Sequence, residues 1–179
     1  MGELIVNRMR RRHLNRVLDI EAEVFPRPWA LALFMAELSM PARRSYFVCE
    51  VGTKVVGYAG LMFNERECHL TNLGVASDHQ GHGIGTKLFY ILVAEGVARE
   101  SRMIALEVRQ SNRPARGIYE RFGFVAVDKR AGYYLESGED AIVMVLENPT
   151  SPEYRAKLAE LAEPFGPIPG NWCDQTHLS

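Results

Sequence analysis

No stretch of the chain approaches the roughly 20 consecutive apolar residues that a membrane-spanning helix needs. The opening Met-Gly-Glu-Leu lacks the apolar core of a secretory signal. Val6 stands where the N-myristoylation pattern requires serine or threonine. Neither charge sign dominates: 21 basic against 22 acidic residues leave a formal charge of −1, so no global attraction to nucleic acid or to a membrane surface is expected. Cysteine is scarce. Cys49, Cys68 and Cys173 are odd in number, far apart and without metal spacing, which excludes a disulfide framework and suits a reducing cytosol. His13, His69, His79 and His177 also lack ligand spacing and read as surface or internally satisfied residues; no metal is expected. What is left is a cytoplasmic globular chain. Its 179 residues are enough for one full core, and a 47% hydrophobic fraction is ordinary for that class.

Two further absences concern phosphate binding. A nucleotide-triphosphate loop places Lys-Ser/Thr directly after its last glycine, but here Gly85 is followed by Thr86 and then Lys87. A dinucleotide loop needs a third glycine where Thr86 stands. What is present is Asn72-Leu73-Gly74-Val75, a short polar turn, and Gln80-Gly81-His82-Gly83-Ile84-Gly85-Thr86. This reads as a strand feeding a glycine-rich helix start. The first turn of a helix offers free N–H groups and partial positive charge, and glycine lets that backbone come close to a pyrophosphate. A phosphate-bearing ligand is therefore expected, with a plain strand–turn–helix junction as the alternative. Within the loop, His82 is read as offering its backbone.

The pattern along the chain is mixed α/β. Leu4 to Met9 reads as an edge strand, and Arg11 to Glu23 as a helix broken by Phe25-Pro26-Arg27-Pro28-Trp29. Ala30 to Leu38 is a second helix. Tyr46 to Glu50 and Val55 to Phe63 form a hairpin around Gly52-Thr53, and Cys68 to Val75 continues the sheet. Gly83 to Arg99 is the strongest helix, with Ile84, Leu88, Ile91, Leu92 and Val97 on one face. Met103 to Val108 is a buried strand. Arg113 to Arg121 is a helix capped by Asn112, with Pro114 in its first turn. Phe124 to Asp128 and Ala141 to Leu146 are the last strands. From Pro149 the character changes: Pro152 to Glu163 fits a polar helix, and Pro164 to Asn171 an irregular end.

Glu107 interrupts Ile104-Ala105-Leu106-Glu107-Val108. Burial there would raise its carboxyl toward the range of a general base; a glutamate at an exposed edge, or paired with Arg109, is the other reading. Tyr119 could protonate a departing thiolate or could simply be a core aromatic. Arg8, Arg10, Arg11, Arg12 and Arg16 form a basic cluster, read as a solvated face, with a ribosome or nucleic-acid contact as the sharper alternative.

Gln80-x-x-Gly83-x-Gly85, then Leu106-Glu107-Val108-Arg109, Asn112, Tyr119 and Gly123-Phe124, follow one another in the order and spacing of the GCN5-related N-acetyltransferases. Tyr133-Tyr134, Glu139-Asp140-Ala141 and Phe25-Pro26-Arg27-Pro28-Trp29 add to a resemblance to the branch of that superfamily that acetylates protein N-termini, over roughly residues 4 to 147. The resemblance implies a mixed sheet of about six to seven strands with flanking helices and a splay between the two central strands. It implies an acetyltransferase domain over 1–148 and a C-terminal extension over 149–179. Acetyl-coenzyme A would be the cosubstrate, its acetyl and pantetheine end at Leu73, Gly74 and Val75, its pyrophosphate at Gln80 and Gly81 to Thr86, with a further contact from Asn112. Glu107 would be the base, through water, and Tyr119 the acid, in a direct transfer that leaves Cys49 and Cys68 to core packing. Phe25, Trp29 and Tyr133 would line the acceptor slot. The implied acceptor is a protein N-terminus, the alanine of ribosomal protein S18; a small amine or a lysine on the same scaffold, or a non-catalytic acetyl-coenzyme A-binding partner, are the alternatives. An extra proline before Trp29 and the histidine at position 82 depart from the branch.

Overall fold

The computed structural model describes residues 2–166 and 170. Residues 167–169 and 171 of the irregular end expected over Pro164 to Asn171 lie outside the described residues, as do Cys173 and His177. The chain runs β1 (Leu4–Arg8), α1 (Leu14–Val24), α2 (Leu31–Leu38), β2 (Arg44–Val51), β3 (Lys54–Asn64), β4 (Glu67–Val75), α3 (Ile84–Ala98), β5 (Met103–Arg109), α4 (Arg113–Arg121), β6 (Val125–Tyr134), β7 (Glu139–Glu147) and α5 (Pro152–Ala162), with short 3-10 turns between. Seven strands form one mixed sheet in the order β1-β2-β3-β4-β5-β7-β6. The first four form an antiparallel meander, as short connections such as Gly52-Thr53 allow. β4 and β5 are parallel, so the chain must cross over between them, and α3 is that crossover.

Side-chain alternation divides the core between the two faces of the sheet. Ile104, Leu106 and Val108 of β5 join Leu88, Ile91 and Leu92 of α3 and Phe122 and Phe124 after α4 in one cluster. Val17 and Ile20 of α1, Phe34 of α2 and Tyr58 of β3 make a second cluster on the opposite face. α1 and α2 cover only the β2–β4 half of that second face, so Glu107 and Arg109, which alternate with the core positions of β5, lie on its open half. α5 packs onto the first cluster: Tyr154 and Leu158 are buried in it, and the Tyr154 hydroxyl donates to the Phe122 carbonyl at 2.7 Å. No helix among the described residues is long and apolar enough to cross a membrane.

β6 runs to Tyr134, well past the expected Asp128. It is the edge strand, exposed along almost its whole length, so it carries none of the apolar alternation that marks a half-buried strand.

Candidate active site

β4 and β5 pair only at Glu67/Met103, Cys68/Ile104 and His69/Ala105. Beyond His69 the two strands diverge, and the edge of β4 from Leu70 to Val75 faces a gap instead of β5. On its other side this segment stays hydrogen-bonded to β3, with Leu73 opposite Ala59, Gly74 opposite Tyr58 and Val75 opposite Gly57. A bulge at Thr71 shifts the register just before it. The gap thus presents the backbone groups of alternate residues, Leu73 and Val75, that no strand takes up, while Gly74 turns its own toward Tyr58 of β3. Gly74 is required by close approach: a Cβ there would lie 2.7 Å from the Tyr58 ring. Gly74→Ala is therefore expected to cost about 1–3 kcal/mol as an overpacked site, read as a Tm lower by several degrees at this chain length. An unchanged Tm would show that the ring is free to move.

Glu107 sits at the apex of the splay. Its side chain is 9% exposed; one oxygen lies 2.6 Å from His69 Nε2 and the other 2.9 Å from Arg130 Nη1. Both earlier expectations for this residue change. Its partners are His69 and Arg130, not Arg109. Burial does push the carboxyl up, but the hydrogen bond and charge of His69 together with the Arg130 guanidinium outweigh it, and the net direction is down. Glu107 is held ionised. His69, 31% exposed at the side chain, reads in the sequence as a surface or internally satisfied residue. Its only sequence signal is a polar residue between the core positions Cys68 and Leu70.

Arg109 instead organises the turn between β6 and β7. Its guanidinium pairs with Glu136 and lies 3.5 Å from Glu139, donates to Ser137 Oγ at 3.1 Å, and stacks 3.9 Å above the Tyr134 ring. Glu139 also accepts from the Ser111 N–H at 2.7 Å, and Asp140 accepts from the Gly132 N–H at 2.8 Å and pairs with Lys129 at 2.8 Å. The dispersed Leu-Glu-Val-Arg, Tyr-Tyr and Glu-Asp segments are therefore one wall of the site. Tyr133, 44% exposed, meets Tyr134 edge-on at 5.2 Å. Phe25 and Trp29 pack against the second core cluster, with Trp29 5.4 Å from Phe34. The charge of Arg27, between them, is felt at Glu136.

On the other face of the sheet, Gln80 Nε2 donates to the Val75 carbonyl at 3.0 Å and ties the loop to the end of β4. Gly81 and Gly83 both have φ +77°, and a Cβ at either would meet nothing within 4 Å. The backbone conformation is what calls for glycine, and the space above it is open to a ligand. Gly83 caps α3; Ile84 buries its side chain and fixes the helix start, with Gly85 and Thr86 following in the first turn. His82 is exposed, its Nδ1 3.4 Å from the His79 carbonyl. The Asn112 oxygen accepts from the Ala115 N–H at 3.2 Å, so its clearest task is to cap α4. Tyr119 on α4 packs its ring 4.6 Å from that of Phe89; burial, with Tyr134 adding, pushes its hydroxyl up to about 12.

The structure brings His69, Glu107 and Arg130 together on one face. It puts the glycine loop and Tyr119 on the other, with the splay between β4 and β5 passing between the two groups. Among the described residues, no cluster of histidine, cysteine, aspartate or glutamate could hold a metal ion.

Residues 14–124 match the model of the acetyltransferase (GNAT) family. The chain is 34% identical over 145 residues to the N-alpha-acetyltransferase RimI of Mycobacterium tuberculosis, covering 78% of this chain and 89% of that one. It is 32% identical over 129 residues to the ribosomal protein bS18-alanine N-acetyltransferase of Escherichia coli, covering 71% and 86%. The crystal structure of the ribosomal-protein-S18-alanine N-acetyltransferase from Escherichia coli superposes with a TM-score of 0.74 at 28% identity, over 81% of this chain and 94% of that one.

Proposed function

The chain belongs to the acetyltransferase (GNAT) family, and we propose that it transfers acetyl from acetyl-coenzyme A to the N-terminal α-amine of a protein in the cytoplasm, the alanine of ribosomal protein S18. The observation that carries this reading is the splay. It joins a phosphate-compatible glycine loop on one face to a polar, partly exposed acid–imidazole pair on the other, so that a thioester and an amine can meet from opposite sides.

The residues suit both substrates. Gly81 and Gly83 provide a loop with open space at the N-terminus of α3, where a pyrophosphate is favoured. The outward backbone groups of Leu73 and the N–H of Val75 can align a pantetheine arm and aim an N–H at the thioester oxygen, a contact typically worth a few kcal/mol in the transition state. The attacking amine must be neutral. An α-amine of pKa about 8 is roughly 10% neutral at pH 7, whereas a lysine at about 10.4 is about 0.04% neutral. A modest base is therefore enough for an N-terminus and a poor match for a lysine.

The 2.6 Å contact between His69 Nε2 and the Glu107 carboxylate supports a second place for Glu107 in proton transfer, behind the imidazole. His69 Nε2–H donates to the carboxylate, which leaves Nδ1 as the acceptor for the amine proton and stabilises the imidazolium that forms. The amine attacks the acetyl carbon, the C–N bond forms, and the C–S bond breaks. The thiolate takes a proton from Tyr119, which its raised pKa keeps protonated at neutral pH; solvent then reprotonates the tyrosine and takes up the proton left on His69, so both groups end as they began.

The test is acetylation of a peptide beginning Ala-Arg, set against an N-terminally blocked peptide with an internal lysine and against free polyamines. Turnover on lysine or polyamines but not on the free N-terminus would sink the proposal, as would cofactor binding with no turnover on any of them. Arg109→Ala should loosen the Tyr133–Tyr134 wall and raise the peptide KM about tenfold, the equivalent of about 1.4 kcal/mol, with kcat little changed. A fall in kcat at constant KM would instead place Arg109 in the chemistry.

A further inference from the structure

Two buried carboxylates under the α1–α2 loop take no part in the proposed reaction. Glu21 near the end of α1 is 1% exposed and Glu37 near the end of α2 is 8% exposed. Each accepts a hydroxyl from a tyrosine of the sheet, Tyr58 to Glu21 at 2.5 Å and Tyr46 to Glu37 at 2.9 Å. Both pairs converge on the bulge in β4. Asn72 Nδ2 donates to Glu21 at 3.1 Å, while Thr71 Oγ1 lies 3.0 Å from the Tyr46 hydroxyl and donates to Asn72 Oδ1 at 3.2 Å. The second oxygen of Glu21 accepts from the Trp29 backbone N–H at 3.3 Å.

The two carboxylates differ in one respect. Glu37 has the Arg44 guanidinium at 2.6 Å. The hydrogen bonds to Glu21 come from a hydroxyl, a carboxamide and a backbone amide, all neutral. A buried carboxylate held this way depends on every donor keeping its place. Those donors belong to three separate pieces of the site. Tyr58 lies on Gly74, Asn72 directly precedes Leu73, and Trp29 belongs to the loop of Phe25.

We propose that Glu21 is a positioning residue that couples the acceptor loop, residues 25–30, to the donor strand, residues 72–75, so that binding on the strand orders the loop. The inference rests on the reading that the strand takes acetyl-coenzyme A and the loop faces the acceptor. A ligand that engages the free edge of β4 fixes Asn72 and Tyr58, these fix the Glu21 carboxylate, and the carboxylate holds the Trp29 amide. Coupling of this kind typically spans about 5- to 150-fold.

The test is amide hydrogen exchange of residues 25–30 with coenzyme A alone, no peptide being present. In the unmodified chain, coenzyme A is expected to slow exchange at Phe25, Arg27, Trp29 and Ala30 by about fivefold or more. Glu21→Gln should still bind coenzyme A but lose the slowing. Glu95→Gln serves as the comparison, because Glu95 is equally buried and is bonded to Arg8, Arg99 and Ser45 near the far end of α3. It should keep the slowing even where it lowers Tm. If Glu21→Gln does not fold, Asn72→Ala, which removes the β4 donor to Glu21 and leaves that of Tyr58 in place, must show the same loss. A loop that ignores bound coenzyme A in the unmodified chain, or responds equally in the Glu21 and Asn72 variants, overturns the coupling whichever amine is acetylated. Failure of the chain to bind coenzyme A at all refutes the donor reading and the coupling together.

Discussion

Glu107→Gln is expected to lower kcat for peptide acetylation by about 10²–10⁴-fold, the usual range for a general acid–base component, while coenzyme A binding changes little. Glutamine keeps the shape and can still accept a hydrogen bond from His69 or Arg130. What it removes is the negative charge that fixes the imidazole tautomer and stabilises the proton that His69 takes up. His69→Ala should cost a similar factor, and the double variant should be hardly worse than either single one, because the two groups act as a unit. Losses that multiply would show that they act separately. The pH profile is a second check. The pKa of Glu107 is lowered, so it is ionised throughout pH 6 to 9 and cannot set the acid limb in that range. The rise of kcat/KM should instead follow the peptide amine, near pH 8. The same sign governs stability: the contribution of Glu107 is present above the ordinary carboxylate range and is lost as pH falls through its lower folded-state value. The acid-induced fall in Tm should be shallower in Glu107→Gln.

Much of this site is legible along the sequence because it is local. The glycine loop follows its strand directly, the Asn112 cap and Pro114 announce α4, and the alternation of Ile104, Leu106 and Val108 puts Glu107 on the opposite face of β5. What could not be read depends on which strands become neighbours. His69 and Glu107 meet only because β4 and β5 are parallel and then part just beyond His69/Ala105, a pairing created by the α3 crossover. Burial alone predicts a raised carboxyl. The reversal comes from His69 and Arg130, on two other strands, and no reading of the Leu-Glu-Val-Arg segment contains them. Arg109, adjacent in sequence, alternates with Val108 but is drawn to the β6–β7 turn by two glutamates and a tyrosine ring. Glu21 was hidden for a related reason. On α1 it reads as one more surface acid, and only the tertiary position of Tyr58 and Asn72 makes it a buried acceptor.

Tyr119→Phe is expected to lower kcat by about 10- to 100-fold, with little change in Tm or in coenzyme A binding. The phenyl ring retains the packing against Phe89 and Phe124, so only the hydroxyl is lost. The loss should fall at the low end of the range for proton transfer, because a thiolate with a conjugate-acid pKa of about 8.5 departs more readily than an amine or an alkoxide. A hydroxyl held near 12 is protonated throughout pH 6 to 10, so the unmodified enzyme should show no alkaline fall in kcat over that range. Tyr134, also raised to about 12, is the competing donor. It lies under Arg109 in the acceptor wall, so Tyr134→Phe should act mainly on the peptide KM. If Tyr119→Phe keeps full kcat and Tyr134→Phe loses it, the proton comes from the acceptor side of the splay, and Tyr119 is a core aromatic and nothing more. If both keep full kcat, the thiolate leaves without help from either.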